Sequence, residues 1–214
     1  MRSGAARILT AAGIAAPLLW AAAVIYCGAV RPGYNPVTQF ASELAERGSS
    51  TEIAMRITAF YLPGVLTVMF GVLLLTRSVG LPVAALLIIN GAAKLTAGTF
   101  PCDPGCPLPG SSVSQVVHSA AGMLNAITLI AAALFCSFHL RRIGRHRFAW
   151  YSLVSAIVGT VFLVLTVMDA PTRSHVGLFQ RLSFGTMQLW LGAFALSIWP
   201  SRIKATDRRR TGPA

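Results

Sequence analysis

Phe100-Pro101-Cys102-Asp103-Pro104-Gly105-Cys106-Pro107-Leu108-Pro109-Gly110-Ser111-Ser112-Val113-Ser114-Gln115-Val116-Val117-His118 stands between two apolar runs, one reaching back to Val79 and the other running from Val113 to Leu140. Its prolines and glycines interrupt helix. Each flanking run is long enough for a helix to cross the ~30 Å hydrocarbon core of a bilayer. The stretch therefore reads as a loop joining two membrane helices, and it gathers a carboxylate, an imidazole and two thiols near the middle of the chain.

Working outward, four further apolar runs stand apart: Ile8–Val30, Ile53–Thr76, Phe148–Met168 and Leu178–Trp199. Their continuity excludes barrel strands, which alternate in polarity over ~10 residues, and backbone in lipid must satisfy itself within a helix. Of 214 residues, 55% are hydrophobic and 11% charged, against about 25% charged in soluble domains. The predicted fold is all-α: a polytopic transmembrane bundle of six helices forming one domain over residues 1–200. A short, disordered, basic cytoplasmic tail is expected over 201–214. The first run, longer than the ~7–15 residues of a signal-peptide core, reads as a retained helix.

The bases are unevenly divided. With the N-terminus inside, Arg2, Arg7, Arg77, the Arg141–Arg147 segment and the C-terminal bases face Asp207 alone, whereas the other side mixes bases with Glu43, Glu46, Glu52, Asp103 and Asp169. By the positive-inside rule both termini are cytoplasmic, in the plasma (inner) membrane. The net charge of +12 thus belongs to juxtamembrane loops meeting anionic lipid, and no nucleic-acid partner is expected.

In the first outer loop, Asn35-Pro36 followed by Val37, Phe40 and Leu44 predicts a short amphipathic helix, lying on the surface or folded over the bundle. Ser49-Ser50-Thr51-Glu52 fits a capping box opening the second helix, which Pro63 should kink. Cys102 and Cys106 flank a turn and read as a disulfide on an oxidising face or as free thiols. Metal ligation by them lacks the usual second pair. Cys27 and Cys136 read as small core residues.

Polar residues recur on one face of each helix. Arg56, Lys94, His118, Asp169 and Arg181 fall near the outer ends, with Glu43 and Asp103 in the loops above and Asn90, Asn125 and Gln188 deeper. The arrangement implied is an outward cup with an ionisable rim and an amide floor. The alternative is that the cations snorkel or pair, and that Ser, Gly and Asn only pack helices.

Three blocks carry a resemblance: Arg31-Pro-Gly-Tyr-Asn-Pro with Ser42-Glu-Leu, Phe100-Pro-Cys-Asp-Pro-Gly with His118, and Gly177-Leu-Phe-Gln-Arg181. In order and spacing the chain resembles the bacterial and archaeal integral membrane family catalogued as domain of unknown function 998. The resemblance implies a multi-pass membrane fold and supplies no activity or cofactor. Tyr34, Ser42, Glu43, Asp103, His118, Gln180 and Arg181 occupy its motif positions.

Two functions follow as expectations. The first is capture of an amphipathic or anionic lipid-like ligand, with Glu43, Arg56, Lys94, Asn125, Arg181 and Gln188 as contacts. The second is a membrane-embedded hydrolase or transferase using His118 with Asp103 and Asp169, or a metal form that adds His175. Ser42 becomes a possible nucleophile only if the first outer helix folds over the cup. No Gly-x-Ser-x-Gly or His-Glu-x-x-His is present, no cofactor is expected, and no midplane charge supports a transporter. Membrane lipids are the expected partners; the sequence sets no oligomeric state.

Overall fold

The computed structural model describes residues 3–76 and 80–199. Arg2, Arg77 and the expected tail 201–214 lie outside the described residues. Among the described residues six long helices form: α1 (Ser3–Val30), α2 (Glu52–Leu75), α3 (Leu81–Thr99), α4 (Val113–Arg142), α5 (His146–Asp169) and α6 (Val176–Ser197). No strand occurs among the described residues. Helices α1 to α5 are long and apolar enough to cross a membrane. Helix α6 has the length, but Gln180, Arg181, Ser183 and Gln188 dilute its apolar residues. The protein is a multi-pass, all-helical membrane protein.

Local chemistry sets the helix ends. The Ser112 hydroxyl accepts from the Gln115 N–H at 3.0 Å and opens α4, the ordinary N-cap bond. Gly144, at φ +76°, turns α4 into α5. In α2, one π-helical turn, Arg56–Tyr61, precedes Pro63, and the Leu62 N–H reaches back five residues to the Ile57 carbonyl. The widened turn accommodates a proline that lacks an N–H.

Consecutive helices pack against each other and α1 closes on both α2 and α6, so the six form a ring in chain order. Helices α2 and α3 approach closely: a Cβ on Gly91 would lie 2.6 Å from the Gly64 carbonyl, the small-residue contact that membrane helices use. One half of the ring is filled. Phe70, Leu74, Leu87, Leu129, Trp190 and Phe194 belong to one buried cluster there, and the Trp190 indole N–H donates to the Ser152 hydroxyl at 3.0 Å. Beyond this half lies the exposed α4–α5 turn, with Arg141 stacked over Trp150 at 4.4 Å.

The opposite end is capped by loops. The short helix expected in the first loop is a five-residue 3₁₀ helix, Ala41–Ala45, folded over the bundle with Leu44 and Ala45 buried. It begins after Asn35-Pro36, which instead make a turn: the Asn35 side chain accepts from the Val37 N–H at 2.9 Å. The expected capping box is replaced. The Thr51 hydroxyl donates to the Leu44 carbonyl at 2.7 Å, and Glu52 accepts from the Gly48 N–H at 2.7 Å.

Candidate functional site: a lidded cavity

Three loops, residues 31–51, 100–112 and 170–175, interlock into a lid. The Glu43 carboxylate, 1% exposed, accepts from the Phe40 N–H at 2.9 Å, the Gln39 amide at 3.0 Å and Arg173 at 3.1 Å. Glu46 pairs with Arg31 and accepts from the Gly105 N–H at 2.6 Å. Arg173 also donates to the carbonyls of Gly105 and Cys106. Cys102 and Cys106 are joined as a disulfide, and the Arg47 N–H donates to the Cys102 carbonyl at 2.9 Å.

The lid is clamped to α6. Gly177 leaves no room for a Cβ beside the carbonyls of Gln39 and Pro36, which lets the first loop rest on the helix start. The Leu178 N–H donates to the Val37 carbonyl at 3.0 Å, and the Gln180 side chain accepts from the Ala41 N–H at 2.6 Å. Arg181 donates to the carbonyls of Pro36 (2.7 Å), Gln39 (3.1 Å) and Gly177 (2.9 Å) and to the Tyr34 hydroxyl. Tyr34 donates onward to the Phe40 carbonyl at 2.9 Å. Burial pushes the Tyr34 phenol above its usual range, with Arg181 pulling the other way.

These contacts redistribute the residues expected at one rim. Arg181 and Glu43 belong to the lid. Arg56 donates to the Gly98 carbonyl at 2.8 Å and to Glu52 at 2.9 Å. Of the three cations expected as ligand contacts, Lys94 lines the cavity and Arg56 and Arg181 do not: carbonyls and Tyr34 hold Arg181, and Glu52 and the Gly98 carbonyl hold Arg56. Asp169 closes the α5–α6 turn, accepting from the Thr172 hydroxyl at 3.0 Å and the His175 N–H at 2.6 Å. Asp103 bonds through its own N–H to the Gln115 side chain at 2.9 Å. Neither carboxylate bonds His118, and His175 sits against Phe179. No group of three or more His, Cys, Asp or Glu side chains able to hold a metal gathers among the described residues. Gln188 is buried with both amide atoms unpartnered and does not line the cavity.

Beneath the lid, inside the ring, is a cavity of about 400 Å³ to which all six helices contribute. Phe40, Ser42 and Cys106 come from the lid, and Trp20, Phe60, Met123, Leu163 and Phe184 supply apolar wall. Nothing in the sequence singled out those wall residues, since they are apolar side chains within apolar helices. The polar lining includes Lys94, His118, Asn125 and Gln180. Lys94 is 1% exposed, and among the described residues its ammonium has a single bond, to the Thr67 hydroxyl at 3.4 Å. Asn125 accepts through its side-chain oxygen from the Asn90 amide at 2.6 Å.

His118 is held from α3. Its Nδ1 lies 3.0 Å from the Ala97 carbonyl and 2.9 Å from the Phe100 carbonyl. Carbonyl oxygens only accept, so Nδ1 carries a proton, and in the neutral ring Nε2 keeps its lone pair. Nε2 has no protein partner among the described residues, and the residue borders the cavity.

Residues 14–197 match the model of a family described as Protein of unknown function (DUF998). No curated protein and no solved structure matches the chain. The family match takes in all but the start of α1 and every element of the lid and cavity, and the chain belongs to the DUF998 family.

Proposed function

We propose that this membrane protein holds an amphipathic, lipid-like molecule in the lidded cavity, its acidic head on Lys94 and its tail among Trp20, Phe60, Met123, Leu163 and Phe184. The observation that carries the reading is Lys94, a buried ammonium at the cavity with one long hydrogen bond and no acid partner. Desolvating an unpaired ion costs several kcal/mol, which a ligand anion offsets through charge-assisted hydrogen bonds. Met123 and Val167 both border the cavity and are exposed, which suits sideways entry of a lipid between α4 and α5. The lid faces outward and both termini lie in the cytoplasm of the plasma membrane, following the asymmetry of Lys and Arg. The test is lipid extraction and mass spectrometry of the purified protein. An acidic amphiphile enriched over the bulk membrane, and depleted in Lys94→Met, is expected; a lipid profile equal to the bulk removes the reading.

A second reading, an enzyme acting on a lipid-like substrate, is favoured by one observation. The 3₁₀ helix folds over the cavity and brings Ser42 to it, while His118 borders it with a free Nε2. A hydroxyl and an imidazole base are the parts of nucleophilic acyl transfer. Here the carbonyls of Ala97 and Phe100 orient the ring in place of Asp103 or Asp169. A fluorophosphonate adduct at Ser42, abolished by Ser42→Ala, would establish this reading; an unlabelled serine leaves binding alone.

A further inference from the structure

Resting on the ligand reading above, we infer that the head group held at Lys94 and His118 must offer both an anionic oxygen and a hydroxyl hydrogen, as a phosphate monoester does. Lys94 can only donate. In its neutral form His118 can only accept at the cavity, because that form's one proton sits on Nδ1 between two carbonyls. Asn125 adds a donor: its oxygen is taken by Asn90, which leaves its NH₂ beside the cavity without a protein partner among the described residues. The site thus offers donors at Lys94 and Asn125 and an acceptor at His118.

One head group can address both residues. Lys94 and His118 line the same cavity, and the imidazole is anchored on the Ala97 carbonyl, three residues beyond Lys94 on one helix. A sulfate ester or a phosphodiester presents acceptor oxygens alone, and one of them would meet the Nε2 lone pair. A phosphate monoester monoanion turns its P–O–H to Nε2 and its charged oxygens to Lys94 and Asn125. Hydrogen bonds to charged groups are the stronger kind, so losing the match should be visible as affinity.

The experiment uses the full chain in nanodiscs of zwitterionic lipid, titrated with dodecyl phosphate and with dodecyl sulfate. At pH 5.5, below the second ionisation of a phosphate monoester at ~6, both probes carry about one charge. Wild type should bind the phosphate about tenfold more tightly than the sulfate, the size of one charge-assisted hydrogen bond. His118→Asn keeps an N–H for the two carbonyls but removes Nε2, and should bring the two affinities together while still binding sulfate. Lys94→Met should weaken both. Equal wild-type affinities, or a preference that survives H118N, overturn this inference and leave the lipid-like reading intact. Failure of wild type to bind either probe removes the reading itself. Displacement of dodecyl phosphate by inorganic phosphate at equal concentration would keep the head chemistry and overturn the lipid source. The wild-type ratio needs no variant, so it decides the matter even if H118N does not fold.

Discussion

Arg173 donates to the carboxylate of Glu43 at 3.1 Å across 130 residues of chain, tying the α5–α6 turn to the 3₁₀ helix of the first loop. The two ends of this pair are unequal: the Glu43 side chain is 1% exposed and that of Arg173 33%. Removing the arginine leaves a buried carboxylate without its cation, which costs ~3 kcal/mol. Arg173→Ala should therefore lower the thermal midpoint and open the lid to protease. Adding Glu43→Gln in the same chain, which neutralises the stranded charge, should restore part of the loss. A double variant no better than the single would mean that the charge is not what matters there.

Gly177 and Gly185 lie on the same helix and should respond oppositely to alanine. At Gly177 a Cβ overlaps backbone carbonyls of the first loop, whereas at Gly185 nothing lies within 4 Å. Backbone cannot move aside as a flexible side chain can, so Gly177→Ala must lift residues 36–39 from α6 and weaken the bonds of Gln180 and Arg181. Gly185→Ala gains helix propensity of up to ~1 kcal/mol. Comparing the two by thermal unfolding and by proteolysis at the first loop checks this; equal behaviour would contradict the clamp.

The Tyr34 phenol is pushed up by burial, so the folded state holds its proton more tightly than the unfolded state does. Stability from this group is complete below the ordinary tyrosine value of ~10 and is lost as pH rises above it toward the raised folded value. Tyrosinate absorbance should show one phenol titrating late, with lid proteolysis rising in the same window. Tyr34→Phe should remove that late phase and cost ~1 kcal/mol for the bond to the Phe40 carbonyl. A late phase persisting in Tyr34→Phe would assign it to another tyrosine.

The helices were legible because lipid demands long apolar segments and nothing subtler. The run Val113–Leu140 became Val113–Arg142, and Ile53–Thr76 became Glu52–Leu75. The lid was legible in its first-loop helix and its Cys102–Cys106 pair but not in the bonds that clamp it, and the reason is physical. Arg181 looks like a free cation in sequence, yet three of its partners are backbone carbonyls, which no residue type announces; Arg56 pairs with Glu52 one helical turn away and reaches the Gly98 carbonyl. The block Gly177-Leu-Phe-Gln-Arg181 carries most of the clamp, so its motif reflects loop docking more than ligand contact. Lys94 and His118, by contrast, were marked in advance. Charge and imidazole within apolar helices need a partner or a cavity, and here they border one.

Lys94 should separate stability from function. Its methylene stem fills space at the cavity wall, and methionine matches that volume without the charge. Replacing a buried, poorly paired ion by a hydrophobe of similar size is neutral or stabilising by ~1–4 kcal/mol. Delipidated Lys94→Met should therefore unfold at or above the wild-type midpoint. Dodecyl phosphate should raise the wild-type midpoint, since a ligand that binds only the folded state stabilises it. The same addition should leave Lys94→Met nearly unchanged, its affinity being at least about tenfold weaker. A lysine kept for packing alone predicts the reverse: a variant that melts earlier and responds to the probe as wild type does. Only a residue whose charge is held ready for a ligand gives higher intrinsic stability together with loss of the ligand response.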